Sequence, residues 1–97
     1  MTQAGEKTVR LLITGRVQGV GFRFWTYDQA NRRSLAGWVR NNPDGSVEAL
    51  FSGLKEDVDD MLEACWQGPR FSSVANIELL SEEKGGGEAL FSFEIRR

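Results

Sequence analysis

"LAGWVRNNPDGSVEALFSG", residues 35–53, holds two short strand patterns around a turn, and the rest of the chain falls into place on either side of it. Pro43 presets φ at the turn and Gly45 supplies a left-handed position, so "NPDG" at 42–45 predicts a β-hairpin between residues 35–41 and 46–53. Before the hairpin, Val9, Leu11 and Ile13 alternate with Thr8, Arg10 and Thr14, the period of a strand, while Leu12 is left on its other face. Residues 22 to about 33 follow with the spacing Phe22, Trp25, Gln29, Ala30, which predicts a helix; Phe24 and Tyr27 fall off that stripe. After the hairpin, Leu54, Val58, Met61, Leu62 and Cys65 recur on one helical face. Glu56 and Asp57 sit near that helix's positive end and Gly68-Pro69 stops it. Alternation at Ala75, Ile77 and Leu79, and beyond the "GGG" of 85–87 at Phe91, Phe93 and Ile95, predicts two further strands.

The order is βαββαβ with an extra C-terminal strand. Right-handed βα crossovers would place both helices on one face of a mainly antiparallel five-stranded sheet, a ferredoxin-like α+β sandwich. Residues 1–6 are expected to be a flexible N-terminus, and residues 7–97 a single domain without internal repeats. At 97 residues with 40% hydrophobic content, the chain has the material for one small core and no room for a second.

A lone Cys65 offers no internal disulfide, and no apolar run approaches the roughly 18 to 20 residues of a membrane span or follows a signal peptide's layout. A cytoplasmic monomer, without membrane contact, is expected. The net charge of -2 hides an asymmetry: residues 1–42 carry seven Lys and Arg against two acids, residues 43–97 five against twelve. The N-terminal part can therefore attract an anion, whereas dispersed basic residues and a pI near 5.1 argue against nucleic acid as partner.

"GRVQGVGFRFW", residues 15–25, joins the first strand to the first helix and is either a plain tight turn or the place where that anion would bind. Helix N-termini leave N–H groups unpaired and carry partial positive charge, and Gly19 and Gly21 let successive N–H groups converge. Arg23 falls in the first helical turn, where a cation meets the positive end of the helix dipole at a cost of about 0.3 to 1 kcal/mol. A bound oxyanion would reverse that sign; an arginine swung into solvent or paired with Asp28 is the alternative. Asn41, ending the second strand, could orient a water through its amide oxygen, or with Asn42 merely open the turn before Pro43.

What the chain lacks narrows the chemistry. It contains no histidine, which removes imidazole acid-base and nucleophilic schemes. Cys65 lies on the apolar helix face and reads as core, and "EDVDD" at 56–60 reads as a solvated helix surface, so neither metal nor cofactor is expected. Phe22, Phe24, Trp25, Trp38 and Trp66 could form a platform for stacked bases, but without a "GFGFVxF"-like strand they read as core.

"GRVQGVGFR" at 15–23, "AGWVRNNPDGSVEALFSG" at 36–53, "GP" at 68–69 and the terminal "FSFEIRR" at 91–97 together resemble the acylphosphatases over almost the whole chain. The resemblance implies a five-stranded ferredoxin-like fold and metal-independent hydrolysis of acyl phosphates to a carboxylate and inorganic phosphate. It makes Arg23 the phosphate-binding catalytic arginine and Asn41 the water-orienting amide. Gln18, Gly19, Val20, Gly21 and Phe22 become the substrate cradle, and phosphate or sulfate would compete for it. Two stretches depart from the family's usual pattern: "NRRSLAGWV" at 31–39, where the family often has a "LGLxGWV"-like run, and "RFSSVAN" at 70–76, which lacks the usual basic residue before the fourth strand. Both bear on loop contacts and substrate preference rather than on Arg23 or Asn41.

Overall fold

A computed structural model describes residues 5–86 and 90–97. Strand β1 (Glu6–Arg16) leads into helix α1 (Phe22–Arg32), then β2 (Ala36–Asn41), β3 (Val47–Leu54), helix α2 (Lys55–Gln67), β4 (Ser73–Lys84) and β5 (Phe93–Arg96). The strands form one sheet in the order β4-β1-β3-β2-β5. The expected ferredoxin-like arrangement is present, with the extra strand beside β2. Residues 1–4 and Gly87 of the glycine run lie outside the described residues.

Three ladders are antiparallel, and the fourth, β2 with β5, is parallel, so the sheet is mixed. The direction follows from connectivity: β4 runs opposite to β1, and the chain reverses once more before β5, which therefore runs the same way as β1 and β2. Gly37 sits in register between Phe51 of β3 and Phe93 of β5, whose rings stack across it at 5.7 Å. A Cβ at Gly37 would come within 1.8 Å of the Leu50 carbonyl oxygen, so only glycine lets the two aromatic strands close over β2.

The core lies between sheet and helices. Val9, Leu11 and Ile13 from β1, Val47, Ala49 and Phe51 from β3 and Val39 from β2 meet Phe22 and Ala30 of α1 and Val58, Met61 and Cys65 of α2. The buried stripe of α1 is Phe22, Thr26, Ala30, so Thr26 occupies the place expected for Gln29. Its hydroxyl donates to the Phe22 carbonyl at 2.8 Å, satisfying the one polar atom that burial would strand. Gln29 instead accepts from Arg33 through its side chain at 2.8 Å.

The alternation expected for β4 is shifted by two irregularities in its pairing with β1, one passing Leu80 and the other Ala75. Each extra residue flips the strand's phase. The extra residue at Ala75 thus brings Val74 onto the core beside Ile77 and leaves Ala75 exposed, whereas Leu79 keeps the phase of Ile77 opposite Leu11 and is exposed on the edge strand of the sheet. At the C-terminus Phe93 is buried, but Phe91 precedes β5 and is 92% exposed.

The opposite sheet face carries a charged cluster. Glu48 accepts from Arg10 Nε at 2.6 Å, from Arg40 Nη2 at 3.1 Å and from Asn42 Nδ2 at 3.2 Å. Trp38 also lies on this face rather than in the helix-side core, with the guanidinium groups of Arg10, Arg40 and Arg96 5.9, 5.2 and 5.0 Å from its ring centre. Burial pushes the Glu48 carboxyl up, but the donors from Arg10, Arg40 and Asn42 outweigh it and hold the group below its ordinary value. Because the folded-state value is depressed, the stabilisation is complete above the unfolded carboxylate pKa of about 4.3 and fades as pH falls through the lower folded value. Glu48→Gln is therefore expected to flatten this part of the acid-unfolding curve and to cost about 2 kcal/mol at neutral pH. Half-exposed arginines keep the loss below that of breaking a fully buried pair. Urea melts of both proteins across the acid range check this; parallel curves would refute it.

Candidate active site

The chain leaves β1 at Arg16 and turns through residues 17–21 into α1. Val17 is buried and fixes the start of this loop. The Gln18 side-chain amide donates to the carbonyls of Asn42 at 2.8 Å and Ser46 at 2.9 Å, tying the loop to the β2–β3 hairpin. Gly19 and Gly21 both have φ of +77°, while a Cβ on either would meet nothing within 4 Å. Backbone handedness, not crowding, requires glycine there. Gly21 caps α1 without any side-chain hydrogen bond, and the first turn holds no acidic residue. The positive end of the helix is thus left electrostatically uncompensated by its own sequence.

A cavity of about 250 Å³ opens on this turn, lined by Val17, Gln18, Gly19, Gly21, Phe22, Arg23, Phe24, Asn41 and Ile95. Of the residues singled out from the sequence, Gln18, Gly19, Gly21, Phe22, Arg23 and Asn41 are brought together here. Val20 is not among the lining residues; its side chain packs partly against the core.

Arg23 is half-buried, and its Nη1 donates to the Arg96 carbonyl at 3.1 Å. Asp28, the carboxylate that could have claimed it, is engaged by Arg32 Nε at 3.0 Å. Among the described residues Arg23 has no acidic partner, so its charge faces the cavity unneutralised.

Asn41 ends β2 opposite Val47. The bonds that shape the turn belong to its neighbour: Asn42 donates its backbone N–H to the Ser46 carbonyl at 2.9 Å and accepts from Gly45 N at 3.1 Å. The Asn42 amide also reaches Ser46 Oγ at 3.1 Å, and Asp44 accepts from the Ser46 N–H at 2.9 Å. Asn41 takes no part in that network. It also borders a second depression of about 490 Å³ with Arg40, Asn42, Pro43 and Arg97.

Sequence reasoning placed Phe24 and Trp66 in the core, and both are exposed, Phe24 at 69%. Phe24 and Ile95 line the cavity without having been singled out for it. The available signal for Phe24 was its position off the helical stripe, directly after the arginine. Cys65 is fully buried, and burial pushes its thiol up to about 12, leaving a neutral core residue. Among the described residues no three His, Cys, Asp or Glu side chains gather where a metal could bind, and no helix is long and apolar enough to cross a membrane.

A ferredoxin-like α+β domain with a small cavity at an uncapped helix N-terminus, holding an unpaired arginine, defines an anion-handling protein. Residues 9–95 match the family model for acylphosphatase, and the chain belongs to that family. It is 52% identical over 85 residues to an acylphosphatase of Rhizobium meliloti, covering 88% of this chain and 87% of the relative. With an acylphosphatase of Nostoc sp. it shares 47% identity over 87 residues, 90% of this chain and 83% of that one. The crystal structure of acylphosphatase from Bacillus subtilis superposes with a TM-score of 0.88 at 38% identity, covering 94% and 99% of the two chains.

Proposed function

We propose that the cavity at the start of α1 hydrolyses acyl phosphates to a carboxylate and inorganic phosphate, with Arg23 holding the phosphoryl group and Asn41 aiming the water. The observation that carries this reading is that Arg23 and Asn41, from different elements, line one cavity while neither is consumed by a structural partner of its own kind: Asp28 is paired elsewhere and Asn42 makes the turn.

The phosphoryl oxygens accept from the Arg23 guanidinium and from the backbone N–H groups of residues 18–22, Val20 among them. Asn41 accepts a hydrogen bond from the attacking water through its side-chain oxygen and orients that water toward phosphorus, in line with the bond to the acyl oxygen. As the water oxygen bonds to phosphorus, the bond to the acyl oxygen breaks and the leaving group departs as a carboxylate. A carboxylate is stable as the anion near pH 7, so no general acid is needed, which suits a chain without histidine. The water's proton passes to a phosphate oxygen of the substrate itself. Catalysis is then chiefly positioning and stabilisation of charge by preset donors. In this reading the protein works as a cytoplasmic monomer on a small-molecule substrate, and phosphate and sulfate compete for the cradle.

The test is hydrolysis of benzoyl phosphate beside phenyl phosphate, with and without EDTA. Turnover of the first alone, unchanged by the chelator, is expected. Activity lost in EDTA and restored by Mg²⁺ would sink the mechanism, and equal turnover of the phosphomonoester would sink the substrate class.

A further inference from the structure

We propose that Phe24, at the mouth of the cavity, selects acyl phosphates whose acyl group is aromatic by packing its ring against that group. The inference rests on the acyl-phosphate reading of the same site and names the part of the substrate that Arg23 and Asn41 do not address.

The fold has no use for Phe24. It lies off the buried stripe Phe22, Thr26, Ala30 and is the most exposed large apolar residue of α1. Its ring contact is with Tyr27, one turn on, at 6.4 Å between centroids and 21° between planes. That i,i+3 stack steadies the Phe24 ring on the helix surface without burying it. Yet Phe24 shares the cavity lining with Arg23, the residue before it, and with Ile95 of β5, which is also exposed.

Charge and size indicate what passes this apolar edge. The phosphoryl end of the substrate goes to Arg23, the one charged residue among the described residues that line the cavity. Among the described residues of that lining there is no second cation to receive an acidic acyl group; Arg40 and Arg97 line the neighbouring depression that Asn41 also borders. The cavity, about 250 Å³, takes the phosphoryl end at Arg23, so the acyl group lies toward its solvent side, where the exposed members of the lining stand. There it meets Phe24 and Ile95, and an aromatic ring gains both area and ring-to-ring contact.

The experiment compares KM and kcat for benzoyl phosphate and acetyl phosphate in the parent protein, Phe24→Ala and Phe24→Leu. Phe24→Ala should raise KM for benzoyl phosphate about tenfold and that for acetyl phosphate less than about twofold, with kcat for both changed far less than KM. Phe24→Leu should recover part of the benzoyl affinity, because a branched apolar side chain restores area without the ring. Alanine is the better helix former at an exposed position, so folding is preserved. An equal rise for the two substrates, or no rise for either, overturns the role of Phe24 while leaving the acyl-phosphate reading intact. A parent protein that hydrolyses neither substrate overturns that reading, and this inference with it, before any variant is made.

Discussion

Arg23→Ala is expected to lower kcat/KM for benzoyl phosphate by roughly three orders of magnitude, the upper range for removing one preset donor from a site that stabilises developing charge. The size of the effect follows from Arg23 being the one charged residue among the described residues that line the cavity. In the proposed reading it supplies a charge-assisted, two-pronged grip on phosphoryl oxygens that neutral N–H groups match only in part. Arg23→Lys should recover some affinity for phosphate and little rate, since a point charge cannot reproduce the planar fork. Stability should respond in the opposite sense. Arg23 stands in a first turn with no acidic residue, and its own hydrogen bond goes to a backbone carbonyl near the surface. Without ligand, then, Arg23→Ala should melt no lower than the parent and should gain about 0.3 to 1 kcal/mol, the cost of a cation at a helix N-terminus. Phosphate should separate the two proteins: at 100 times its dissociation constant it stabilises the parent by about 2.7 kcal/mol. Thermal melts with and without phosphate check both signs, and parental stabilisation of Arg23→Ala by phosphate would show that the anion binds elsewhere.

The same physics explains how much of this was legible in the sequence. The hairpin and α2 were readable because local chemistry and period agree: Pro43 and Gly45 mark the turn, and Val58, Met61 and Cys65 recur on one buried face. α1 reads less cleanly because its surface answers to two demands. One side packs on the sheet through Phe22, Thr26 and Ala30, while the first turn lines the cavity through Arg23 and Phe24, so apolar residues appear off the stripe. Thr26 was passed over because its polar atom is satisfied within the helix, a bond that composition does not reveal. β4 defeated simple alternation since a two-residue period cannot register extra residues at Leu80 and Ala75, whose cause lies in pairing with β1. Trp38 is buried, as expected, but on the sheet face away from the helices. A large aromatic in a strand can be covered from the solvent side by long cationic stems, as Arg10, Arg40 and Arg96 cover it here, and burial does not imply the helix-side core.

For the candidate site, the sequence carried residue types and loop chemistry but not the exclusions. That Arg23 and Asp28 lie five residues apart leaves their pairing open; only the ion pair of Asp28 with Arg32 closes it. Asn41 and Asn42 are indistinguishable as letters. In the folded chain they diverge because successive residues of a strand point to opposite sides of a sheet, and the turn draws on Asn42.

That divergence makes Asn41 the more discriminating substitution. Asn41→Ala is expected to reduce kcat for benzoyl phosphate about a hundredfold or more, comparable to the loss of one positioned polar group in other active sites, while phosphate binds near its parental affinity. In the proposed reading the amide acts on the water and not on the phosphoryl oxygens, which would keep Arg23 and the backbone donors, and this produces the split. Arg23→Ala, by contrast, should lose binding and rate together. Folding should survive the change, since the polar bonds of the turn are made by Asn42, Asp44, Gly45 and Ser46. Asn41 keeps its backbone pairing with Val47 whatever its side chain. Asn42→Ala provides the contrast. It removes donors to Ser46 and to Glu48, so it should lower the melting temperature while leaving kcat much closer to parental at temperatures where the protein is folded. Melts, phosphate affinity and steady-state kinetics on the two variants therefore form a crossed pair, one losing rate with stability kept and the other the reverse. A folded Asn41→Ala protein that turns over benzoyl phosphate at the parental rate would return Asn41 to the status of a strand-end residue and leave the water to be oriented by the backbone of the cradle.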